Sequence, residues 1–175
     1  MPLSAFNLRQ WIEAHRAALR PPVGNQLVWE DRELLITVVG GPNARADYHI
    51  DEGEEFFYQL EGDIVLRLIE DGQPRDLPIR QGEIFLLPPR VPHSPQRPPH
   101  TVGLVIERKR TADELDGFVW FCPTCGHKLH EEFLHVTNLV TQLPQVFDRF
   151  YGDPQRCTCA QCGTRVVAPV VGEAG

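Results

Sequence analysis

The run YHIDEGEEFFYQLEG, residues 48–62, combines the apolar alternation of a β-strand with an unusual density of ionisable side chains. His49 precedes Glu55 by six residues, and Gly62 ends the run. Burying an imidazole and a carboxylate side by side is costly unless the two groups satisfy each other or share a cation. The run therefore predicts a half-buried strand with a chemical role.

Similar strand-like segments precede and follow this run. Between Gln26 and Arg108 the chain reads as short apolar segments (LLITVV, DIVLRLIE, EIFLLPP, TVGLVIER) separated by turn signals such as Asp71-Gly72. Many short strands predict an all-β sandwich or barrel. The prolines of PPRVPHSPQRPP, residues 88–99, indicate a rigid loop and argue against a central strand.

Two further segments flank the β-rich part of the chain. Asn7, followed by Gln10, resembles a helix-capping box, and it opens a short amphipathic helix that ends before Pro21. Beyond Arg110 the sequence no longer follows the regular pattern of strands and turns. We predict two units: residues 1–110 form the helix and the barrel, and residues 111–175 form a small metal-stapled unit that packs on the barrel.

Bulk composition narrows the class of protein. The 175 residues carry a formal charge of -7, which argues against nucleic acid or an anionic membrane as the main partner. No apolar run approaches the length of a bilayer, and the N-terminus lacks the pattern of a secretory signal. These features predict a cytoplasmic protein.

All five cysteines lie in the last third of the chain. Cys122/Cys125 and Cys159/Cys162 form two C-x2-C knuckles with 33 residues between them, a pattern typical of a tetrahedral metal site made of four cysteines. Four thiolates suit either zinc or rubredoxin-type iron, and the sequence does not choose between them. Two disulfides or free thiols are the alternatives, disfavoured in a reducing compartment. Cys157 is left over as a spare thiol.

Two motifs in the β-rich part resemble those of the cupin family. His49, Glu55 and Gly62 match the spacing of its first motif, and Gly82, Pro88 and His93 match the second. The resemblance implies a jelly-roll β-barrel with a metal site. The chain departs from the family pattern at three positions: Asp51 replaces a histidine, Arg90 a glycine and Arg97 an asparagine.

The residues themselves support a metal site. Side chains two apart on a strand face the same way, so His49, Glu55 and His93 can converge inside a barrel from different strands. Two imidazoles and one carboxylate with open positions form the facial triad suited to ferrous iron and dioxygen. Asp51 as a further ligand remains an alternative.

Charged residues near these ligands indicate the substrate class. Arg45 lies four residues before His49, and Arg97 lies four after His93. Guanidinium groups bind carboxylates through paired hydrogen bonds, so we expect a small acidic substrate. Glu107, on a later inward-facing strand, can accept a hydrogen bond from a substrate amine or hydroxyl. The alternatives are surface arginines and a Glu107 salt bridge.

A closer resemblance covers residues 25–165. The strings RADYH, EEFFYQL, QGEIFLLPPRVPHSPQRP, LVIER and LDGF, followed by CPTCGH, are similar to those of bacterial 3-hydroxyanthranilate 3,4-dioxygenases. That resemblance implies a catalytic ferrous ion and a second iron, away from catalysis, in a rubredoxin-like site formed by the four paired cysteines. It also implies specific roles, which by position fall on His49, Glu55 and His93 as iron ligands and on Arg45, Glu55, Arg97, Glu107 and Asn25 as substrate or oxygen contacts.

The activity implied by the resemblance is the ring opening of 3-hydroxyanthranilate by dioxygen. The product, 2-amino-3-carboxymuconate semialdehyde, closes to quinolinate, which links the reaction to kynurenine catabolism and NAD biosynthesis. A non-catalytic cupin that binds a small acid, or a dioxygenase for a related aromatic acid or aminophenol, remains the alternative. By analogy with cupins we expect a homodimer.

Overall fold

The computed structural model describes residues 4–21, 24–30, 32–137 and 139–169. Within these ranges no helix has the length and apolar character needed to cross a membrane. The chain runs through the following elements: α1 Leu8–His15, a 3₁₀ turn Arg16–Leu19, β1 Asn25–Leu27, β2 Leu34–Gly40, β3 Asp47–Ile50, β4 Glu55–Glu61, β5 Ile64–Glu70, β6 Gln73–Ile79, β7 Ile84–Leu87, β8 His93–Gln96, β9 Val102–Arg108, β10 Asp116–Phe121, β11 Lys128–Leu134, α2 Leu139–Tyr151 and α3 Pro154–Cys157.

The strands form two antiparallel sheets that face each other. One has the order β1-β2-β9-β4-β7 and the other the order β11-β10-β3-β8-β5-β6. Strands β2 to β9 supply four neighbours to each sheet, β2-β9-β4-β7 and β3-β8-β5-β6, which is the arrangement of a double-sheet jelly roll. The prediction of a mainly β barrel is confirmed.

The core between the sheets follows from strand alternation. In β4 and β5 every second residue is buried, so one face of each strand is turned inward. Burying a large apolar side chain contributes roughly 1.5–3 kcal/mol, so this cluster supplies much of the driving force for closing the barrel. Its buried members are Phe57, Ile64, Leu66, Leu68, Ile79 and Leu87.

Two turns show how the chain meets special backbone requirements. Asp71 and Gly72, which join β5 to β6, both have positive φ, at 51° and 74°, as a two-residue hairpin turn demands. Arg90 stands where the cupin pattern has glycine, and its φ of 65° keeps the left-handed conformation that glycine would adopt. Its side chain is held by Glu52, with 2.9 Å between Nε and Oε2.

The expectation of a loop across the proline-rich segment is wrong. Strand β8 lies inside the six-stranded sheet between β3 and β5, and Pro95 pairs with Leu66 of β5. Proline removes one backbone donor, and the ladder on the β3 side is correspondingly sparse. Among the described residues that ladder consists of the His49–His93 pair and an isolated bridge between Asn43 and Arg97.

Helix α1 covers the outer face of the five-stranded sheet. The Asn7 side chain accepts a hydrogen bond from the Gln10 amide at 3.1 Å, which confirms the predicted cap. The helix then buries Ile12, and this residue and Leu19 pack with Val38 of β2. Because α1 occupies the outside, the residues that alternate with Val38 face the barrel interior.

The C-terminal segment is continuous with the barrel. Strand β10 pairs with β3 on one side and with β11 on the other, so it extends the six-stranded sheet. Helix α2 packs on this extension, with Phe150 stacked on Trp120 at 4.2 Å between ring centroids. A division of the chain into units at residue 110 remains a prediction; the pairing of β10 with β3 joins the two parts within one sheet.

Candidate active site

Three buried ligand-type side chains meet between the two sheets. His49 on β3 and His93 on β8 are direct cross-strand partners, and their ring centroids are 5.2 Å apart. Glu55, the first residue of β4, reaches them from the opposite sheet, with Oε1 3.5 Å from His49 Nδ1 and 3.1 Å from His93 Nε2. All three residues are at most 5% exposed. The structure thus brings the predicted triad together.

The second nitrogen of each imidazole faces an oxygen atom. His93 Nδ1 lies 3.0 Å from the carbonyl oxygen of Val91, and His49 Nε2 lies 3.3 Å from Oδ2 of Asp116. The His49 ring also stacks on Phe118, with 5.2 Å between centroids and 26° between planes. Metal-binding histidines are usually oriented in this way, with one nitrogen on the metal and the other on an acceptor.

Electrostatics within the site oppose the effect of burial. Burial lowers the pKa of His49, but Asp116 and Glu55 outweigh it and raise that pKa to about 9. Burial raises the pKa of Glu55, yet the positive charge of His93 and hydrogen bonds from both histidines hold it well below its usual value. Without a cation, therefore, the site retains a proton on His49 to compensate the carboxylates.

The donor set suits a divalent cation. Glu55 Oε1, which faces both imidazoles, is buried and has no hydrogen-bond partner of good geometry among the described residues. The ligand atoms of His49, Glu55 and His93 all lie within 4.8 Å of one another. Orphaned buried polar atoms of this kind are costly, and a shared cation removes the cost.

Three more carboxyl groups surround the triad, and one arginine contacts all of them. Asp51, Glu107 and Asp116 lie close enough to the triad to form overlapping clusters of potential ligands, namely His49/Asp51/Asp116 and Asp51/Glu55/Glu107. Arg110, with a side chain only 5% exposed, contacts Asp51 at 2.6 Å, Glu107 at 3.0 Å and Asp116 at 3.0 Å. These three carboxylates are thereby neutralised in part, whereas Glu55 remains for a metal.

Asp51, the residue at the position of the second cupin histidine, is held in place by other groups. Its Oδ1 accepts a hydrogen bond from the Gly53 amide at 2.7 Å, and its Oδ2 faces Arg110. The Oδ1 bond shapes the turn that carries the chain from β3 to β4. Asp51 therefore has a structural reason for its position that does not require it to bind a metal.

Glu107 points into the barrel from β9. Burial and the charge of Glu55 raise its pKa to about 8, although Arg110 acts in the opposite direction. The sequence alternatives for this residue were a substrate contact or a salt bridge, and the structure contains the salt bridge. A carboxyl group that titrates near neutral pH beside a potential metal site is also suited to proton transfer.

Arg97 is a buried cation that has no ion pair with any of the described residues. It is 4% exposed, and its only side-chain hydrogen bond among the described residues runs from Nη1 to the Gln59 side-chain oxygen at 3.3 Å. Burial lowers its pKa to about 10, and the charge of Glu55 partly opposes this effect. No carboxylate of the described chain lies within 4.0 Å of it. An anion bound here would offset the cost of its burial.

The remaining two predicted contact residues are Arg45 and Asn25. Arg45 is ion-paired with Asp47, which its Nε contacts at 3.1 Å, and its guanidinium lies 6.0 Å from the ring centre of Phe147. Asn25 opens β1 at the edge of the five-stranded sheet and pairs with Val39, which pairs in turn with Gly103 of β9. Asn25 is therefore in the cross-strand row that ends near Arg97.

Sequence reasoning missed Arg110 and Asp116. Both lie in RTADELDGF, whose LDGF string supported the family resemblance without indicating a role for either residue, and their contacts depend on the pairing of β10 with β3. No strand alternation indicates either residue, because Arg110 follows the end of β9 and Asp116 is the first residue of β10. Gln59, the hydrogen-bond partner of Arg97, was also missed, although it lies in the motif-bearing strand β4.

The four predicted cysteines form a second cluster. Cys122 Sγ lies 3.5 Å from Cys162 Sγ, and Cys125 Sγ lies 3.6 Å from Cys159 Sγ. A tetrahedral metal with bonds of about 2.3 Å to sulfur requires sulfur atoms roughly 3.8 Å apart, so the geometry fits. Cys157 lies outside this cluster, 1% exposed in the apolar core beside Trp120.

The two knuckles share one backbone design. The amide of Cys122 donates to the His127 carbonyl, and the amide of Cys159 donates to the Thr164 carbonyl, both at 2.8 Å. The glycine after each second cysteine, Gly126 or Gly163, has a φ above 70°. These turns direct amides at sulfur: desolvation raises the pKa of Cys122, but amide donors outweigh it and lower that pKa to about 6.

Two jelly-roll sheets with a buried His-Glu-His cluster between them define a cupin. The chain belongs to the 3-hydroxyanthranilic acid dioxygenase family, whose model matches residues 1–151.

Two relatives show the extent of the similarity. The 3-hydroxyanthranilate 3,4-dioxygenase of Xanthomonas euvesicatoria pv. vesicatoria is 54% identical over 169 residues, covering 97% of this chain and 96% of that protein. The enzyme of the same name from Ruegeria pomeroyi is 56% identical over 162 residues, covering 92% and 90%. Among solved structures, a cupin-2 domain containing protein from Shewanella frigidimarina aligns over 59% of this chain and 94% of its own, with 15% identity and a TM-score of 0.48.

Proposed function

We propose that this chain is a 3-hydroxyanthranilate 3,4-dioxygenase. It opens the aromatic ring of its substrate with dioxygen to give 2-amino-3-carboxymuconate semialdehyde, the precursor of quinolinate and hence of NAD. Family membership and two relatives of that name, at 54% and 56% identity, support the assignment. The geometry of the site supports the choice of particular residues for roles in the reaction.

The observation that carries this proposal is the buried guanidinium of Arg97, which has no carboxylate partner among the described residues. Several kcal/mol are typically lost when a charge is buried without a partner, so a site that retains one is built for an anion. The carboxylate of 3-hydroxyanthranilate supplies that anion, through two parallel hydrogen bonds. Arg97 donates a hydrogen bond to Gln59 of β4, the strand that begins with Glu55, so a substrate held by Arg97 lies beside the triad.

His49, Glu55 and His93 hold ferrous iron in this proposal. Two neutral imidazoles and one carboxylate leave coordination positions open, as non-haem iron oxygenases require. Iron bound there supplies Lewis acidity and a path for electrons between the ring and dioxygen. A second iron, or zinc, occupies the cluster of Cys122, Cys125, Cys159 and Cys162.

The chain's own residues bind and orient the substrate. Glu107, whose pKa is raised to about 8 by burial and by Glu55, accepts a proton from the substrate hydroxyl near neutral pH. Arg45 contacts substrate or oxygen after releasing part of its pairing with Asp47. Asn25 lines the outer end of the site. The buried position of the triad between two sheets keeps bulk water away from the reacting atoms.

A homodimer in the cytoplasm is the expected state of the enzyme. Strand β7 lies at the edge of the five-stranded sheet, and two of its four residues, Ile84 at 65% and Leu86 at 52%, are exposed apolar side chains. A second copy that covers this edge would shield both the side chains and the unpaired strand. Sedimentation at the mass of two chains is the corresponding measurement.

The experiment compares two substrates that differ only in the carboxylate. In Arg97→Met, kcat/KM for 3-hydroxyanthranilate should fall roughly a hundredfold or more, because a buried charge pair is lost. With 2-aminophenol, which has no carboxylate, the same substitution should change kcat/KM little. Arg75→Met, at an exposed position on β6, is the matched control and should leave both values unchanged.

Oxygen uptake and product absorbance measured together identify the reaction. An equal loss for both substrates in Arg97→Met would contradict the carboxylate role of Arg97. Binding of 3-hydroxyanthranilate by the iron-loaded wild-type protein without oxygen uptake would instead favour a cupin that only binds small acids.

A further inference from the structure

Arg110 connects the metal-binding side of the site to its substrate side. Each of its guanidinium nitrogens contacts a different carboxylate: Nη2 reaches Asp51 at 2.6 Å, Nη1 reaches Glu107 at 3.0 Å and Nε reaches Asp116 at 3.0 Å. The side chain is 5% exposed. A rigid planar group that contacts three carboxylates, two of them buried, fixes their relative positions.

Asp116 transmits this arrangement to a proposed metal ligand. The residue is fully buried, its Oδ1 accepts a hydrogen bond from Arg110 Nε, and its Oδ2 lies 3.3 Å from His49 Nε2. Among the described residues neither atom has a hydrogen bond of good geometry, so the 3.3 Å ion-pair contact between them is the interaction that links Asp116 to the imidazole. The free rotation of the imidazole is thus limited on one side by Asp116 and on the other by Phe118.

We propose that Arg110 is a positioning residue for the reaction: through Asp116 it holds His49 in the orientation that the metal requires, and through Asp51 it withdraws a competing carboxylate from the metal. This inference rests on the proposed function, since it needs a metal at His49, Glu55 and His93. It goes beyond that function because it assigns a role to residues that touch neither metal nor substrate.

Position 110 requires a guanidinium group, whose three nitrogens can each contact a different carboxylate. A lysine at 110 would keep the positive charge but present a single nitrogen, which cannot contact three separately placed carboxylates in one plane. Asp51 or Asp116 would then turn toward the cation or lose its partner. The expected result is weaker and less uniform metal binding with little change in net charge.

Co²⁺ binding to the purified full-length protein, without substrate, tests the proposal. Affinity is measured by competition with a chelator, and coordination by the visible spectrum of the bound Co²⁺, with His49→Ala as the blank that isolates the triad from the thiolate cluster. Arg110→Lys and Asp116→Asn are the test variants. Arg108→Lys is the matched control, because Arg108 lies two residues away but is exposed and pairs only with Glu114 among the described acids.

Both test variants should bind Co²⁺ at the triad about 10- to 100-fold more weakly than wild type, as is typical when a group that orients a metal-bound histidine is removed. Their Co²⁺ spectra should also differ from the wild-type spectrum, while Arg108→Lys matches wild type in both. Asp116→Asn changes the side-chain volume very little, so it carries the test if Arg110→Lys does not fold. Wild-type affinity and an unchanged spectrum in Asp116→Asn would overturn the proposal.

Failure of this inference is distinguishable from failure of the proposed function. If wild type and His49→Ala bind the same amount of Co²⁺ with the same spectrum, the triad is not a metal site and the proposed function fails with it. If wild type binds at the triad and the variants bind equally well, only the role of Arg110 is wrong.

Discussion

The histidine-carboxylate centre and the thiolate cluster solve the same problem of holding a cation in different ways. The centre draws its three candidate ligands from β3, β4 and β8, in two sheets, and all three are buried. The cluster draws its four from two short turns, and Cys125 and Cys162 are exposed. A site assembled by distant strands needs the whole barrel, whereas a site made by local turns needs only those turns to meet.

The groups that compensate charge around the two sites also differ: they are distant side chains at the centre and local backbone amides at the cluster. Charged side chains compensate one another around the centre, where Arg110 faces three carboxylates. Backbone amides perform this task at the cluster, because they direct partial positive charge at the sulfur atoms. Charged side chains can exchange protons and can contact a substrate, whereas backbone amides keep a fixed position and a fixed partial charge. The contrast predicts chemistry at the first site and stability from the second.

The largest expected effect separates the two sites by activity. Glu55→Ala removes the only carboxylate of the triad, and turnover should fall to background, a loss comparable with the roughly millionfold or greater acceleration that enzymes provide. The thermal midpoint should change far less than the rate. Oxygen uptake with anaerobically iron-loaded protein is the measurement, and His49→Ala should behave alike. Substantial turnover in either variant would remove these residues from the list of ligands.

Thermal stability should show the opposite order, with the larger loss when the thiolate cluster is disrupted. Cys122→Ser breaks the cluster, and loss of a structural metal typically costs more than about 4 kcal/mol. At roughly 2–4 °C per kcal/mol for a chain of this size, the thermal midpoint should fall by about 10 °C, while kcat of the folded fraction stays at the wild-type value. Cys157→Ala is the matched control: the same residue type, buried nearby, outside the cluster. A loss of turnover with an unchanged midpoint would reverse the contrast.

The smallest expected effect concerns pH and sharpens the role of His49. In the metal-free protein its pKa is raised to about 9, so below that pH a bound cation must displace a proton from the imidazole. Apparent metal affinity of the triad should therefore rise about tenfold per unit between about pH 6 and about pH 8, which is roughly 1.4 kcal/mol per unit. Calorimetry in two buffers with different ionisation enthalpies should detect one proton released per ion.

An affinity that does not change with pH would show that His49 is already neutral without metal. It would also weaken the role given to Asp116, because the pKa of His49 is raised chiefly by Asp116 and Glu55 against the effect of burial.

Local spacing explains which parts of the molecule could be predicted from sequence. The cysteine knuckles, the cap at Asn7 and the hairpin at Asp71-Gly72 are short-range patterns, and each has the predicted form. The triad was predictable because family motifs record how distant strands align. Strand β8 was missed because the rule against proline in sheets is a rule about one donor, and the neighbouring ladder is sparse enough to do without it.

Arg110 and Asp116 were beyond prediction for a different reason. Their contacts depend on β10 adding to the edge of the jelly roll beside β3, and sequence periodicity gives no information about which strands become neighbours. Arg90 is a related case. The motif calls for glycine, and only the structure shows that an arginine there keeps the same positive φ.

The alternation of side chains along strand β10 constrains the spacing between the candidate metal site and the residues under helix α2. Asp116, Phe118 and Trp120 alternate along β10 toward one side, so the carboxylate beside His49 and the ring that packs against helix α2 lie four positions apart, an even spacing. One residue inserted between them would turn either Asp116 or Trp120 to the opposite side of the sheet. Changes of length within this strand are therefore compatible with both neighbourhoods only in steps of two.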